Sequence, residues 1–520
     1  MKLLAHLKHL KNPNLIAVVI ALISTGFLRL QLFTGLPETD SGLYTFANQY
    51  IYHALINGQD LKGMPLSLYS LMTAWVYGLE VNQFILLRLI DGLVAIAASI
   101  ILFRVILKES GSTLFTIILV TTLLILMNTS DIVMYGFRNS IWAAFIPLFL
   151  ALLIWQNSTN KDRYTFYSIG GLIFLGCLLR EPFLPFFIFA GIAILISYGW
   201  RVLVKYLIGS AVVGFSVLGV ILMLRGWDLV DLINSYLNIG TTYKELNFDI
   251  LPSLIHTVTH SWFILIASIV SLIYLTKLHF SNKNLISFNR VSFWVLVALI
   301  PAIEPIIKVG FAYHYATCFI GLAGLSALGW KYLSNNESKR VSTLSMLSLS
   351  LISMLVIFPA IIQTVIKNNY IYSPYDAFQW TLDPHSFRNE QMVKRSQYLI
   401  VASKIYELSK EDSTLVTSGV MQILYPLSEL LPPTFKLNDL GQLYLKLKKD
   451  EVKLIQILKE YQPDLIVTSG LNWEYEKALP DIIEKTNLYE VAYKIKGNKK
   501  IDYGWKFKEP GIIYRLKDLK

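Results

Sequence analysis

The sequence predicts a polytopic α-helical membrane protein of about eleven spans, followed by a C-terminal extracytoplasmic α/β domain. Three observations lead there. Of the 520 residues, 54% are hydrophobic and 16% charged, and the mean hydropathy is +0.51; no set of ordinary soluble domains is this apolar. Basic and acidic loops alternate between the apolar runs. Beyond Lys367 the composition breaks sharply, with Lys, Glu and Asp frequent and apolar runs of strand length.

The N-terminus, "MKLLAHLKHLKNPNLIAVVIALISTGFLRLQLF", starts basic and turns apolar. Its apolar part is too long for a signal peptide and no small-residue cleavage site follows, so it reads as a retained first span. Runs long enough to cross a bilayer centre near residues 24, 95, 120, 148, 172, 191, 214, 268, 298, 320 and 354. Every second loop is basic: Lys2, Lys8 and Lys11, then Arg104 and Lys108, Lys161 and Arg163, Arg201 and Lys205, Lys277, Lys283 and Arg290, and Lys331, Lys339 and Arg340. By the positive-inside rule these loops and the N-terminus are cytoplasmic. The remaining loops carry acids, among them Glu38, Asp40, Asp60, Asp131, Glu181, Asp228, Asp231, Glu245, Asp249 and Glu304. Basic loops on an anionic leaflet explain much of the net charge of +11 without nucleic acid. Cys177 and Cys318 sit in apolar runs and read as small buried hydrophobes; no zinc-type spacing occurs.

The chain divides into a membrane domain, 1–367, and a soluble domain, 368–520. In the latter, "STLVTSG", "PDLIVTSG", "YEVAYKIKG" and "GIIYRLK" read as strands, and "DEVKLIQILKEYQ" and "EKALPDIIEKTN" as helices. An odd number of spans after a cytoplasmic N-terminus places this tail outside, where it is expected to shape the acceptor side without supplying the catalytic group.

The first outer loop, 37–80, carries most information. From Ser41 to Asn57 the residues Leu43, Phe46, Ala47, Tyr50, Ile51, Ala54 and Leu55 recur at helical spacing, with Thr45, Asn48, Gln49 and His53 among the polar positions. This describes an interfacial helix stopped at Gly58. From Pro65, "PLSLYSLMTAWVYG" forms a second interfacial segment.

The stretch "ETDSGLYTFANQYIYHALINGQDLKGMPLSLYSLMTAWVYGLEVNQFILLRLIDGL" resembles the start of the GT-C superfamily of integral membrane glycosyltransferases. That class includes protein O-mannosyltransferases, aminoarabinose transferases of lipid A and other glycosyltransferase family 39-like proteins. The resemblance rests on Arg29 late in the first span, Asp40 opening the first outer loop, the series Gly58, Lys62, Pro65 and Tyr69, and Arg88 opening the next span. Downstream, "FAYHYATCFIGLAGLSALG", with His314, is similar to the late-span segment of many members. The chain departs from commoner patterns in having Thr-Asp-Ser where many members have Asp-Glu, and Met-Pro-Leu where many have Pro-Pro-Leu.

The resemblance implies a glycosyltransferase of the plasma (bacterial inner) membrane that inverts the sugar it transfers. Its partners would be a polyprenyl-phosphate sugar donor, a glycan, lipid or protein acceptor, and membrane lipids. Such chemistry needs a group that deprotonates the acceptor and cations that neutralise the leaving phosphate. Asp40 is placed to be the base; the plainer role is capping the helix that follows. Asp131, in the second outer loop, either meets Asp40 across a cavity, holding the acceptor or sharing a divalent cation through oxygen ligands, or is a solvated loop acid. Lys62, Arg138 and Arg180 lie on the outer side, where they contact the donor phosphate or snorkel to the interface. Glu181, Tyr69 and His314 are candidates for the substrate cavity, His314 being equally at home as a satisfied polar residue between helices. Arg88 is expected to pair with Asp91 at i, i+3.

Two other classes share some of these features. An oligosaccharide polymerase or ligase using lipid-pyrophosphate-linked glycans would place its elaborated loop between late spans. A transporter of a lipid-linked sugar would show internal repeats or paired broken spans, which this sequence lacks.

Overall fold

The computed structural model describes residues 12–26, 28–29, 39–58, 61, 68–128, 139–157, 164–180, 183–225, 230, 250–281, 288–302, 315–337, 339–367, 374–383, 385, 397–471, 473–496 and 511–517. Helix α1 is Pro13–Ala21, continued by a wider turn at Leu22–Gly26; α2 is Thr39–Ile56 and α3 Leu68–Thr73. Then come α4 (Gln83–Ser110), α5 (Thr113–Asn128), α6 (Asn139–Asn157), α7 (Thr165–Leu179), α8 (Leu184–Tyr198) and α9 (Trp200–Arg225). The apolar part closes with α10 (Ile250–Ser281), α11 (Phe288–Leu299), α12 (Phe319–Asn336) and α13 (Lys339–Lys367). Each expected span centre falls within one of these helices or, for residue 24, in the turn that continues α1. Among the described residues, Gln83–Ser110, Trp200–Met223, Ser261–Ser281 and Arg340–Pro359 are long and apolar enough by themselves to cross a membrane.

Helix boundaries follow local chemistry. The Asn82 side chain accepts from Ile85 N at 3.0 Å to cap α4, and Gly111, at φ +67°, ends it in the left-handed conformation. Helices α7 and α9 approach through glycine: a Cβ on Gly170 would come within 2.0 Å of the Tyr206 carbonyl oxygen, and one on Gly209 within 2.0 Å of that of Tyr167. Bare backbone at both positions permits the close van der Waals packing that joins helices inside lipid. The large side chains left exposed on α8, α9 and α13, such as Ile196, Phe215, Met223, Leu351 and Phe358, face outward from the bundle, as lipid-facing residues would.

At the opposite end of α4 from Asn82 lies a half-buried ion pair. Glu109 is fully buried; its carboxylate lies 2.9 Å from Arg290 Nε and accepts from Gln156 Nε2, also at 2.9 Å. Arg290 in turn stands over the Trp155 ring. These partners join the ends of α4 and α6 to the start of α11.

The tail begins with α14 (Pro374–Thr381) and α15 (Gln397–Leu408), followed by β1 (Leu415–Thr417), α16 (Leu424–Ser428), α17 (Leu440–Lys446), α18 (Glu451–Tyr461) and β2 (Leu465–Thr468). Helix α19 (Glu474–Lys485), β3 (Tyr489–Ile495) and β4 (Gly511–Leu516) complete it. All four strand-like runs are strands, ordered β1-β2-β4-β3; β1 and β2 are parallel, with Leu415 opposite Leu465, and β4 is antiparallel to β2 and β3. Alternation sends Val416, Ile466 and Tyr514 into a core with Leu454, Leu458, Leu479 and Ile483 of α18 and α19. The other face, with Leu415, Leu465, Val467 and Ile513, shares its core with Phe46, Tyr50, Ile51 and Ala54 of α2. Helix α2 therefore buries its apolar stripe under the tail.

Candidate active site

Helix α2 starts at Thr39, two residues before the expected Ser41, so Asp40 lies inside its first turn. An acid there is favoured by the unpaired amides and dipole of the helix start, whether or not it serves in chemistry. Downstream, α2 is gripped on two sides. Against the tail, Phe46 stacks on Tyr425 with ring centres 4.4 Å apart and on Phe435 at 5.8 Å. The Tyr50 hydroxyl accepts from Phe435 N at 3.1 Å, and Gln49 Nε2 donates to the Leu430 carbonyl at 3.4 Å. Against the second interfacial segment, Asn48 Nδ2 donates to Thr73 Oγ1 at 2.8 Å and the Tyr77 hydroxyl to the Thr45 carbonyl at 3.2 Å. Asn48 and Gln49, polar positions in the helical reading, are both buried because this helix has covered faces on both sides. The backbone bond from Asn82 N to the Thr381 carbonyl, 2.8 Å, ties the start of α4 to α14. Helices α2 and α3 and the tail thus share one end of the bundle.

Beside them lies a buried polar knot. The Tyr69 hydroxyl on α3 donates to Asp91 on α4. Arg29 Nε donates to Asn128 Oδ1 at the end of α5, 3.0 Å away, and its guanidinium stands 5.5 Å from the Trp142 ring centre on α6. Asp91 attracts Arg29 electrostatically. Arg88 lies over the Phe84 ring, one turn back along α4. Helical spacing offers Asp91 the neighbouring Arg88, but it gives no hint of the hydroxyl that reaches this carboxylate from the preceding segment. Tyr69 is 4% exposed, and its hydroxyl ties α3 to α4. Buried charges are costly unless hydrogen-bonded, and here Arg29 donates to Asn128 while Asp91 accepts from Tyr69.

Arg180 directly follows α7, and its side chain is 7% exposed. Asp131, Lys62, Arg138, Glu181 and His314 lie outside the described residues, as does the side chain of Asp40. Among the described residues no group of three or more His, Cys, Asp and Glu side chains could hold a metal ion; Asp40 and Asp131, the carboxylates named for a divalent cation, are not among the side chains described.

One constellation was missed by sequence reasoning. Ser418 Oγ, just past β1, and Ser469 Oγ, just past β2, donate to Glu476 Oε2 at 2.6 and 2.8 Å. Nearby, Asp439 Oδ2 accepts from Val420 N at 2.7 Å and Oδ1 from Gln442 N at 3.0 Å. Glu476 and Asp439 are each 2% exposed. The available signal was the repeated "VTSG" of 416–419 and 467–470, which puts a serine at the same point past two strands.

No family profile matches the chain, and no curated protein matches it. Among solved structures it is similar to the crystal structure of ArnT from Cupriavidus metallidurans in the apo state, with a TM-score of 0.48 and 10% identity over 95% of this chain and 97% of that one. A likeness at that level carries no argument about activity.

Proposed function

We propose that the chain is a membrane glycosyltransferase of GT-C type, which moves a sugar from a polyprenyl-phosphate carrier to an extracytoplasmic acceptor with inversion. The observation that carries this reading is the placing of Asp40. It opens a helix gripped between the tail and the second interfacial segment, at the same end of the bundle as a buried Arg29–Asp91 knot. A helix start fixed between the tail and a second helix, at the end of an apolar helical bundle, suits a site where a lipid-borne phosphate meets a water-borne acceptor.

In this reading Asp40 takes the acceptor hydroxyl proton as the acceptor oxygen bonds to the anomeric carbon. The carbon–phosphate oxygen bond breaks on the opposite face, and the carrier phosphate leaves with the electron pair. Lys62, Arg138 and Arg180 neutralise that phosphate, Asp131 orients the acceptor, and Glu181, Tyr69 and His314 border the site. Asp40 and Asp131 are also the oxygen ligands suited to a divalent cation, should the reaction use one. The layout 1–367 and 368–520, with a cytoplasmic N-terminus and the tail outside a bacterial inner membrane, belongs to the same proposal.

The test is Asp40→Asn, which keeps size and removes basicity. Donor lipid extracted from cells lacking the gene serves as substrate, and released polyprenyl phosphate is measured in membranes. Turnover should fall at least about a hundredfold at normal expression. Mass spectrometry of the same cells should show a missing envelope sugar and accumulated carrier. A fully active Asp40→Asn protein would return this residue to stabilising its helix.

A further inference from the structure

Two residues after Asp40, the chain leaves no room for a side chain. A Cβ on Gly42 would stand 2.4 Å from Ile423 Cβ, 2.5 Å from Ile423 Cα and 2.6 Å from Ile423 Cδ1. Ile423, fully buried, opens α16 at the end of the loop that leaves β1. The tail thus bears directly on the first turn and a half of α2, with backbone as well as side chain.

That loop is unusually constrained. Gly419 and Val420 both adopt left-handed backbone, at φ +68° and +60°. A β-branched residue in this region is strained and persists only where its surroundings over-determine it. The over-determination is visible: the Asp439 carboxylate holds Val420 N at 2.7 Å and Gln422 Nε2 at 3.3 Å. Glu476 holds Ser418 from the other side, its Oε1 so close to α17 that a Cβ on Gly441 would come within 2.0 Å. Tyr425, the second residue of α16, donates its hydroxyl to the Asn438 carbonyl at 2.8 Å while its ring stacks on Phe46. Two buried carboxylates therefore clasp, at Ser418, Val420 and Gln422, a six-residue segment whose last residue presses on α2.

We propose that the Ser418–Ile423 loop is a positioning element for Asp40: Asp439 and Glu476 hold the loop in its strained conformation, and Ile423, seated on Gly42, sets where the first turn of α2 stands. This rests on Asp40 being the base. The tail then contributes to the chemical step without touching substrate, because a proton acceptor displaced by a fraction of an ångström loses its alignment with the acceptor hydroxyl.

The experiment is a double-mutant cycle on the full chain in membranes, using donor lipid extracted from cells lacking the gene. Ile423→Ala strips the side chain beyond Cβ, Cδ1 included, leaving only Cα and Cβ against Gly42 and nothing to buttress the turn around it; Asp40→Asn removes the base. Ile423→Ala alone should lower kcat about tenfold with the donor KM unchanged. In the Asp40→Asn background the same substitution should change kcat less than twofold, because a residue acting through Asp40 has nothing left to position. Equal losses in both backgrounds, or a rise in KM without loss of kcat, would overturn the proposal and leave Ile423 a packing residue. If Ile423→Ala does not accumulate, Ile423→Val, which deletes only Cδ1, runs the same cycle with an expected effect of about threefold. The failure of the underlying reading is separately visible: Asp40→Asn alone would retain full activity.

Discussion

Replacing Glu476 by Gln tests the clasp from the side of its charge. Burial first, and then the neighbouring Asp439, push the Glu476 carboxyl from its ordinary 4.5 up to about 7, against the opposing hydrogen bonds from Ser418 and Ser469. A carboxyl raised on folding binds its proton more tightly in the folded state. Its contribution to stability is therefore complete below pH about 4.5 and is lost as pH rises through about 7. That interval corresponds to about 3 kcal/mol. The amide introduced by Glu476→Gln would keep an oxygen for both serines, bear no charge at any pH, and place no anion beside Asp439. Hydrogen exchange of the β1 and β2 amides in the full chain, corrected for intrinsic rates, gives the local opening free energy. In the natural protein that energy should be lower at pH 8 than at pH 5 by up to about 3 kcal/mol. With Glu476→Gln the difference should vanish, and the variant should be the more stable protein at pH 8. The reasoning fails if the natural protein shows no such pH dependence, or if the dependence survives in the variant.

Two further outcomes follow from buried contacts. Phe46→Ala removes a fully buried ring stacked on Tyr425 and Phe435; docking of the tail on α2 should weaken by about 3 kcal/mol, read as faster exchange of the α16 amides, and unchanged exchange would refute it. Arg290→Met leaves Glu109 buried without its counter-charge and should lower thermal stability in detergent by about 3 kcal/mol. Adding Glu109→Gln should recover most of that loss; a double variant as unstable as Arg290→Met would show that the pair is not the cause.

The sequence by itself determined the parts of this protein that depend on short-range periodicity. Apolar runs of bilayer length place the helices, because a backbone in lipid must satisfy its hydrogen bonds within its own segment. Alternation and turn residues likewise made the four strands of the tail legible, and the 3.6-residue stripe made α2 legible as an amphipathic helix. What covers that stripe was decided only by tertiary structure: Phe46 and Tyr50 meet Tyr425 and Phe435 almost four hundred residues later, as the 385-residue separation of the Tyr50–Phe435 bond shows. Spacing along α4 offers Asp91 the neighbouring Arg88, yet it is blind to the hydroxyl that α3 brings to the same carboxylate. The same limit hid the clasp. Ser418 and Ser469 stand at equivalent points of a repeated tetrapeptide, yet they reach one carboxylate only because β1 and β2 pair in parallel and in register. Glu476 lies 58 residues from one serine and 7 from the other. No local pattern encodes such a meeting; the register of two strands and the packing of α19 against them bring it about, and with it the buried charge that makes the site titrate near neutrality.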